Sequence, residues 1–237
     1  MTSYEIIPLP SKKTLLALLD KGERKDGRDF NSYRDIEIST NVIKSAEGSA
    51  QVKIGNTIAL AGVKLILGQP YSDTPDQGIQ IVNAELVPLA SPSFEPGPPD
   101  EDDIELSRVV DRVLRSSNMI DLNKLSIIKG KKVWIVYIDI YILNHDGNLF
   151  DASIMASVAA LLTAKIPKVE ITDENKVRLT EEYINLPIKD LPIGVTFSKI
   201  GNNIIVDPCY EEERLSDAMI TIGINKENNI CTLQKRK

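Results

Sequence analysis

The 237-residue sequence predicts an α+β fold, two similar sheet-plus-helix halves packed as one domain. Three observations predict it. Strand signals punctuated by turn residues fill the chain from Ile36 onward, and two helical segments, 100–117 and 151–166, interrupt them. The tetrapeptide Lys-Ile-Gly-Asn occurs twice, at Lys53–Asn56 and Lys199–Asn202, each time leading into an apolar strand, as an internal duplication would leave it. No Gly/Ser-rich or charge-run linker cuts the chain. The expected domain therefore spans 1–237, with an N-terminal helix and arm over 1–35, a first half over 36–166 and a second over 167–237.

In order along the chain, Ser11 to Asp20 carries Leu15, Leu16, Leu18 and Leu19 and stops at Lys21-Gly22, a short helix with a glycine end. A basic, turn-rich stretch, Glu23 to Arg28, follows. IEIST, then SAQVKIG-NTIALAGVKLIL, then IQIVNAELVPLA read as a mostly antiparallel meander. Three prolines within Phe94–Pro99 make a rigid connector. A helix then begins near Asp100, its acidic first turn favoured by the positive end of the helix dipole. Its apolar Leu106, Val109, Val110 and Val113 fall on one arc, and Arg108, Arg112 and Arg115 share the opposite face. VWIVYIDIYIL (133–143) is apolar on both faces and reads as a central strand. After the turn Asn144–Asn148, DASIMASVAALLTAKI (151–166) is apolar nearly all round and reads as a buried helix. VEIT, VRLT, INLPI, VTFSKIGNNIIVDP and AMITIGI complete the strands.

The composition excludes several functions. No apolar run approaches the roughly 20 residues of a membrane span, and MTSYEIIPLPSKK lacks the apolar block of a signal peptide, so a cytoplasmic protein without membrane contact is expected. Cys209 and Cys231 have neither metal-ligand spacing nor a CxxC pattern and read as reduced and structural. His145 is the single histidine, which excludes a His-pair or His-cluster mechanism; no metal or cofactor is expected. The formal charge of -6, from 28 basic and 34 acidic side chains, argues against gripping a polyanion by bulk charge.

The ordered set Arg24–Arg28, Glu47–Ala50 leading to Gly55-Asn56-Thr57, the arginine helix, Asp146-Gly147-Asn148 before Ala152-Ser153, and Asp207–Glu213 resembles the RNase PH family. Phe94–Glu101, Arg108–Arg112 and Ile205–Pro208 resemble, more narrowly, its non-catalytic subunits in archaeal exosomes. The likeness runs from about residue 20 to the end. It implies an RNase PH-like fold and a place in a six-membered ring, a trimer of heterodimers with a catalytic RNase PH-type subunit. That ring degrades single-stranded RNA from the 3′ end with inorganic phosphate and carries RNA-binding cap proteins of S1 and KH type. Such subunits carry a further C-terminal helix, whereas this sequence stops at Gln234–Lys237.

Phosphorolysis needs an anion site, charge neutralisation and a hard metal ion held by carboxylates. Catalytic relatives read Asp-Gly-Gly, then Ser or Thr, then Arg, after the central strand. The same frame here is Asp146-Gly147-Asn148-Leu149-Phe150-Asp151, in which two side chains cannot donate to an anion and one repels it. Catalytic relatives also carry an Asp six residues beyond a Tyr-Glu-Glu-Asp run. Here the run is Tyr210–Glu213 and that position is Met219, no ligand for Mg²⁺. The resemblance thus implies a subunit with no catalytic residues of its own, and Arg112, then Arg108 and Arg115, as the RNA contacts, since a guanidinium fork grips phosphate without reading sequence. Without the resemblance, these arginines read as solvated side chains paired with Glu105 and Asp111. The rival is a self-sufficient exoribonuclease using Asp207, Glu213 and Asp217, the last displaced from the lost position by about 6–7 Å along the strand. His145 reads as an exposed loop residue, Glu211–Glu213 as a solvated charge run, Lys129, Lys131 and Lys132 as a solubilising turn, Trp134 as core, and Tyr71 as a loop residue able to stack on RNA.

Overall fold

The computed structural model describes residues 9–172 and 177–236; the expectation for the first eight residues lies outside them. In chain order the elements are α1 (Leu9–Asp20), β1 (Ile36–Thr40), β2 (Gly48–Ile54), β3 (Thr57–Gly68), β4 (Ile79–Leu86), α2 (Glu101–Ser116), β5 (Ser126–Ile128) and β6 (Lys132–Asn144). Then come α3 (Leu149–Thr163), β7 (Lys165–Ile171), β8 (Val177–Asn185), β9 (Ile193–Ile200), β10 (Asn203–Val206), α4 (Tyr210–Leu215), β11 (Ala218–Ile224) and β12 (Ile230–Arg236). A six-stranded sheet runs β1-β2-β3-β6-β4, with β5 on β6, and a four-stranded sheet runs β10-β9-β11-β12. Among the described residues only β4 on β6 is parallel; the other strand pairs are antiparallel. β7 and β8 form a separate hairpin.

α2 and α3 touch each other and lie between the two sheets, α2 against β4 and β12, α3 against β2, β3 and β9. The main core forms there, from Val136, Ile138, Ile140 and Ile142 of β6, Val109, Val110, Val113 and Leu114 of α2, and Ala152, Ile154, Ala156 and Leu161 of α3. α1 buries Leu15 and Leu19 on Ile200 and Ile205 of the second sheet. Trp134 is buried, as expected.

Both Lys-Ile-Gly-Asn segments make the same local structure: each Gly-Asn pair turns one antiparallel strand into the next, β2 into β3 and β9 into β10. The turns need left-handed backbone at Gly55 (φ 56°) and Gly201 (φ 59°), which glycine adopts without a Cβ clash.

Two expectations are corrected. The 151–166 segment is helical only to Thr163; Ala164 is extended, and Lys165 and Ile166 begin β7. Ile166 precedes Pro167, whose ring pushes it out of the helical region, an effect that apolar periodicity does not register. β6 is interior to its sheet but not covered on both faces: Ile135 and Tyr137 are half-exposed, and Tyr141 is exposed.

Candidate nucleic-acid interface

Asp100 caps α2. Its carboxylate accepts from the Asp102 and Asp103 amides at 2.9 and 3.1 Å, and the Asp103 carboxylate accepts from the Asp100 amide at 3.0 Å. Asp103 also accepts from the Leu86 amide at 2.6 Å, so the helix start is tied to the end of β4. With Leu106, Val109, Val110, Val113 and Leu114 buried beneath, Arg108, Arg112 and Arg115 are all exposed.

The three do not act as one face. The helix is flanked by β4 on one side and β12 on the other, and the outer arginines lean to opposite flanks. Arg112 donates to Gln234 Oε1 of β12 at 2.8 Å. Arg115 donates to Asp111 at 2.8 Å and to the Gln80 carbonyl of β4 at 3.1 Å. Arg108 has no hydrogen bond or ion pair among the described residues. Of the two acids that would hold these arginines as solvated pairs, Asp111 takes Arg115, whereas Glu105 is taken by Arg236 at 3.2 Å. Arg108 and Arg115 line one groove with Tyr71, Gln80, Asn83 and Ile104.

The segments where the family's chemistry would reside form a second, closed cluster. Asp207, fully buried with φ 49°, receives Arg28 at 2.9 Å, the Arg34 guanidinium at 2.7 and 2.9 Å, the Arg34 amide at 2.9 Å and Asn148 Nδ2 at 2.7 Å. Burial opposes its ionisation, but hydrogen bonds and charge from Arg34 prevail and hold its carboxyl below the usual range. Asn148, also left-handed (φ 54°), donates its Nδ2 to Asp151 at 2.9 Å and its backbone amide to Glu213 at 2.7 Å. Asp151 is fully buried and accepts from the Tyr33 hydroxyl at 2.6 Å, the Thr196 hydroxyl at 2.7 Å and the Thr196 amide at 3.0 Å. Burial pushes Asp151 up to about 6, although these bonds favour the anion. Burial, then the Asp151 charge, raises Tyr33. Burial and the Glu212 charge push the Cys209 thiol up to about 12, leaving it an unreactive thiol at neutral pH.

An anion arriving at the start of α3 would need its free amides. The Asn148 amide instead holds Glu213, and Asp151 sits buried in the first turn. The rival carboxylate set is not assembled. Asp207 and Glu213 meet at Asn148, but Asp217 is exposed at the β9–β10 turn, accepting from the Gly201 amide at 2.7 Å. Among the described residues no three His, Cys, Asp or Glu side chains are placed together to hold a metal ion.

Two further readings are corrected. Glu211–Glu213 are only in part a solvated run: they start α4, where Glu211 pairs with Lys25 at the surface, Glu212 is buried on Arg24 at 2.6 Å and Glu213 closes the α3 start. His145 is half-buried, stacked on Phe94 with centroids 5.4 Å apart and edge-on to Tyr210 at 5.0 Å. Tyr33, Asn148 and Thr196 had no signal as hub residues beyond the proximity of Asn148 to the Asp146-Gly147 turn.

Residues 32–167 match the 3′ exoribonuclease family (RNase PH), domain 1, and residues 190–237 match its domain 2. The chain belongs to the RNase PH family. This RNase PH chain is 50% identical over 235 residues to the exosome complex component Rrp42 of Methanothermobacter thermautotrophicus, covering 99% of this chain and 87% of that one. It is 52% identical over 221 residues to the Rrp42 of Archaeoglobus fulgidus, covering 93% and 83%. It superposes with TM-score 0.89 and 50% identity on a chain of the Archaeoglobus fulgidus exosome with RNA bound to the active site, over 96% of this chain and 87% of that one. The α+β fold is thus the RNase PH fold.

Asp151 gives the hub a pH signature. A carboxyl raised in the folded state binds its proton more tightly there than in the unfolded chain. The contribution of Asp151 to stability therefore falls as pH rises from about 4 to about 6 and is flat above, opposite in sign to that of carboxyls held low, such as Asp207. The span is on the order of 1–3 kcal/mol for a shift of this size. Asp151→Asn should flatten that slope in urea titrations at stepped pH; an unchanged slope would show that Asp151 does not titrate there.

Proposed function

We propose that this chain is a non-catalytic structural and RNA-binding subunit of a hexameric exosome ring of archaeal type. It pairs in the cytoplasm with a catalytic RNase PH-type subunit beneath S1/KH-type cap proteins and contributes to 3′-to-5′ phosphorolysis of single-stranded RNA. The observation that carries the non-catalytic part is the closed start of α3: the chain's own Glu213 occupies the amide that phosphate would need, and Arg28 and Arg34 are committed to Asp207. Half-identity over nearly the whole chain to proteins named exosome components supports the ring. The exposed arginines of α2 supply the RNA contact, which is local: a few guanidiniums act within a Debye length of about 8–10 Å despite the net charge of -6.

The purified chain, given single-stranded RNA, inorganic phosphate and Mg²⁺, is expected to release no nucleoside diphosphate until the catalytic partner is added. Release by the chain alone would overturn the non-catalytic reading. Arg112→Glu and Arg108→Glu are expected to leave assembly intact by light scattering and to slow degradation by the ring about tenfold each, the scale of a charge-assisted contact. Unchanged rates in both variants would remove the RNA-contact role.

A further inference from the structure

The groove between β4 and α2 combines features that the arginine ridge alone does not have. Ile104 and Arg108 stand one turn apart on α2 and both face it. Ile104 is 51% exposed and Tyr71, which lines the same groove, 58% exposed. The Tyr71 side chain makes no hydrogen bond among the described residues, yet its loop is held at several points. The Thr74 amide donates to the Tyr71 carbonyl at 3.3 Å and the Gln77 amide to the Thr74 carbonyl at 3.2 Å. The Gly78 amide donates to Leu122 at 2.8 Å, the Pro75 carbonyl accepts from Gly130 at 2.7 Å, and Asp76 faces Lys129 at 3.7 Å.

The acids of the groove are occupied. Asp111 takes Arg115 and the Gln80 amide at 2.9 Å, and Asp103 takes the Leu86 and Asp100 amides. Among the described residues that line it, the Tyr71 ring, the apolar Ile104 and the Arg108 guanidinium are exposed and make no side-chain hydrogen bond or ion pair, and together they are the set a single nucleotide would use. A base stacks on the first two, and its phosphate takes the third.

From this groove we infer that Tyr71, Ile104 and Arg108 form a one-nucleotide subsite for single-stranded RNA, with Tyr71 as the stacking platform and Arg108 as the phosphate clamp. Arg115 is a wall residue fixed by Asp111, and Arg112 lies on the far flank. The subsite reads no sequence, because every base has a π-face. It rests on the RNA-binding reading above and adds to it a specific place and a stacking residue.

The test uses the ring reconstituted with its catalytic partner, in phosphate-free buffer so that RNA is not consumed. Anisotropy of a fluorescein-labelled oligoadenylate is measured over a salt series for wild type, Tyr71→Ala, Tyr71→Phe and Arg108→Gln. Tyr71→Ala is expected to weaken binding about tenfold without changing the salt slope, and Tyr71→Phe to restore it, since stacking is not ionic. Arg108→Gln is expected to lower the slope by about 0.7, one phosphate contact on a single strand. Affinity within twofold of wild type for Tyr71→Ala, in a ring that binds the probe, overturns the subsite and leaves the ring reading intact. A wild-type ring that assembles but does not bind the probe overturns both.

Discussion

Arg24→Ala is expected to destabilise the protein by about 3–5 kcal/mol. Arg24 has no exposed side-chain surface and forks onto Glu212 at 2.6 and 2.9 Å; it also donates to the Val206 and Asp207 carbonyls at 3.0 and 2.9 Å. Removing it leaves a buried carboxylate whose remaining donor among the described residues is the Cys209 amide, and takes a guanidinium donor from the Val206 and Asp207 carbonyls, the second of which keeps Arg28 at 3.3 Å. Glu212→Ala should be comparably severe, because it leaves the guanidinium buried without its anion. The double replacement Arg24→Met with Glu212→Leu is expected to recover much of the loss, since apolar side chains of similar volume carry no desolvation penalty. The neighbouring pair, Lys25 on Glu211 at 2.8 Å, is solvent-exposed, and Lys25→Ala should fall within about 0.5 kcal/mol of wild type. Urea midpoints with a constant slope would separate these cases. Equal shifts for Arg24→Ala and Lys25→Ala would show that the buried pair does not tie the N-terminal arm to α4.

That contrast marks what the amino-acid order made legible. Helix periodicity placed Arg108, Arg112 and Arg115 on the outer ridge of α2, and Asp100 with Asp103 announced its start, because both features are set within a few residues. The turn chemistry of the repeated Gly-Asn gave two hairpins for the same reason. Azimuth on a helix does not say what flanks it, so the division of the ridge between β12 and β4 could be seen only once those strands were in place. The pairing of Arg24 with Glu212 spans 188 residues, and no local pattern distinguishes Glu212 from the exposed acids in the same run. The hub on Asp207 and Asp151 was invisible for the same reason: the arm, the α3 start and the second sheet converge only after folding. A carboxylate that reads as repelling phosphate is in the structure a buried acceptor for Tyr33, Asn148 and Thr196.

Gly147→Ala is expected to destabilise by about 3 kcal/mol or more, through a different mechanism. Gly147 has φ 84°, and a Cβ there would lie 2.5 Å from the Cys209 carbonyl carbon and 2.6 Å from both the Pro208 oxygen and the Tyr210 nitrogen. All three are backbone atoms, so no rotamer change relieves the contact; the turn and the start of α4 must separate. Separation would strain the Tyr210 amide bond to Asp146 at 3.2 Å and draw Asn148 away from Glu213 and Asp207. Gly130→Ala is the control: φ is 72°, but no atom of the described residues lies within 4 Å of the added Cβ, so only the left-handed penalty of about 1–2 kcal/mol applies. If Gly147→Ala were no worse than Gly130→Ala in urea denaturation, the close approach of the two turns would not hold in solution. A full effect would mean that the closed start of α3 is fixed by backbone contact as well as by Glu213, so that restoring a phosphate-binding side chain at Leu149 or Phe150 alone would not open the site.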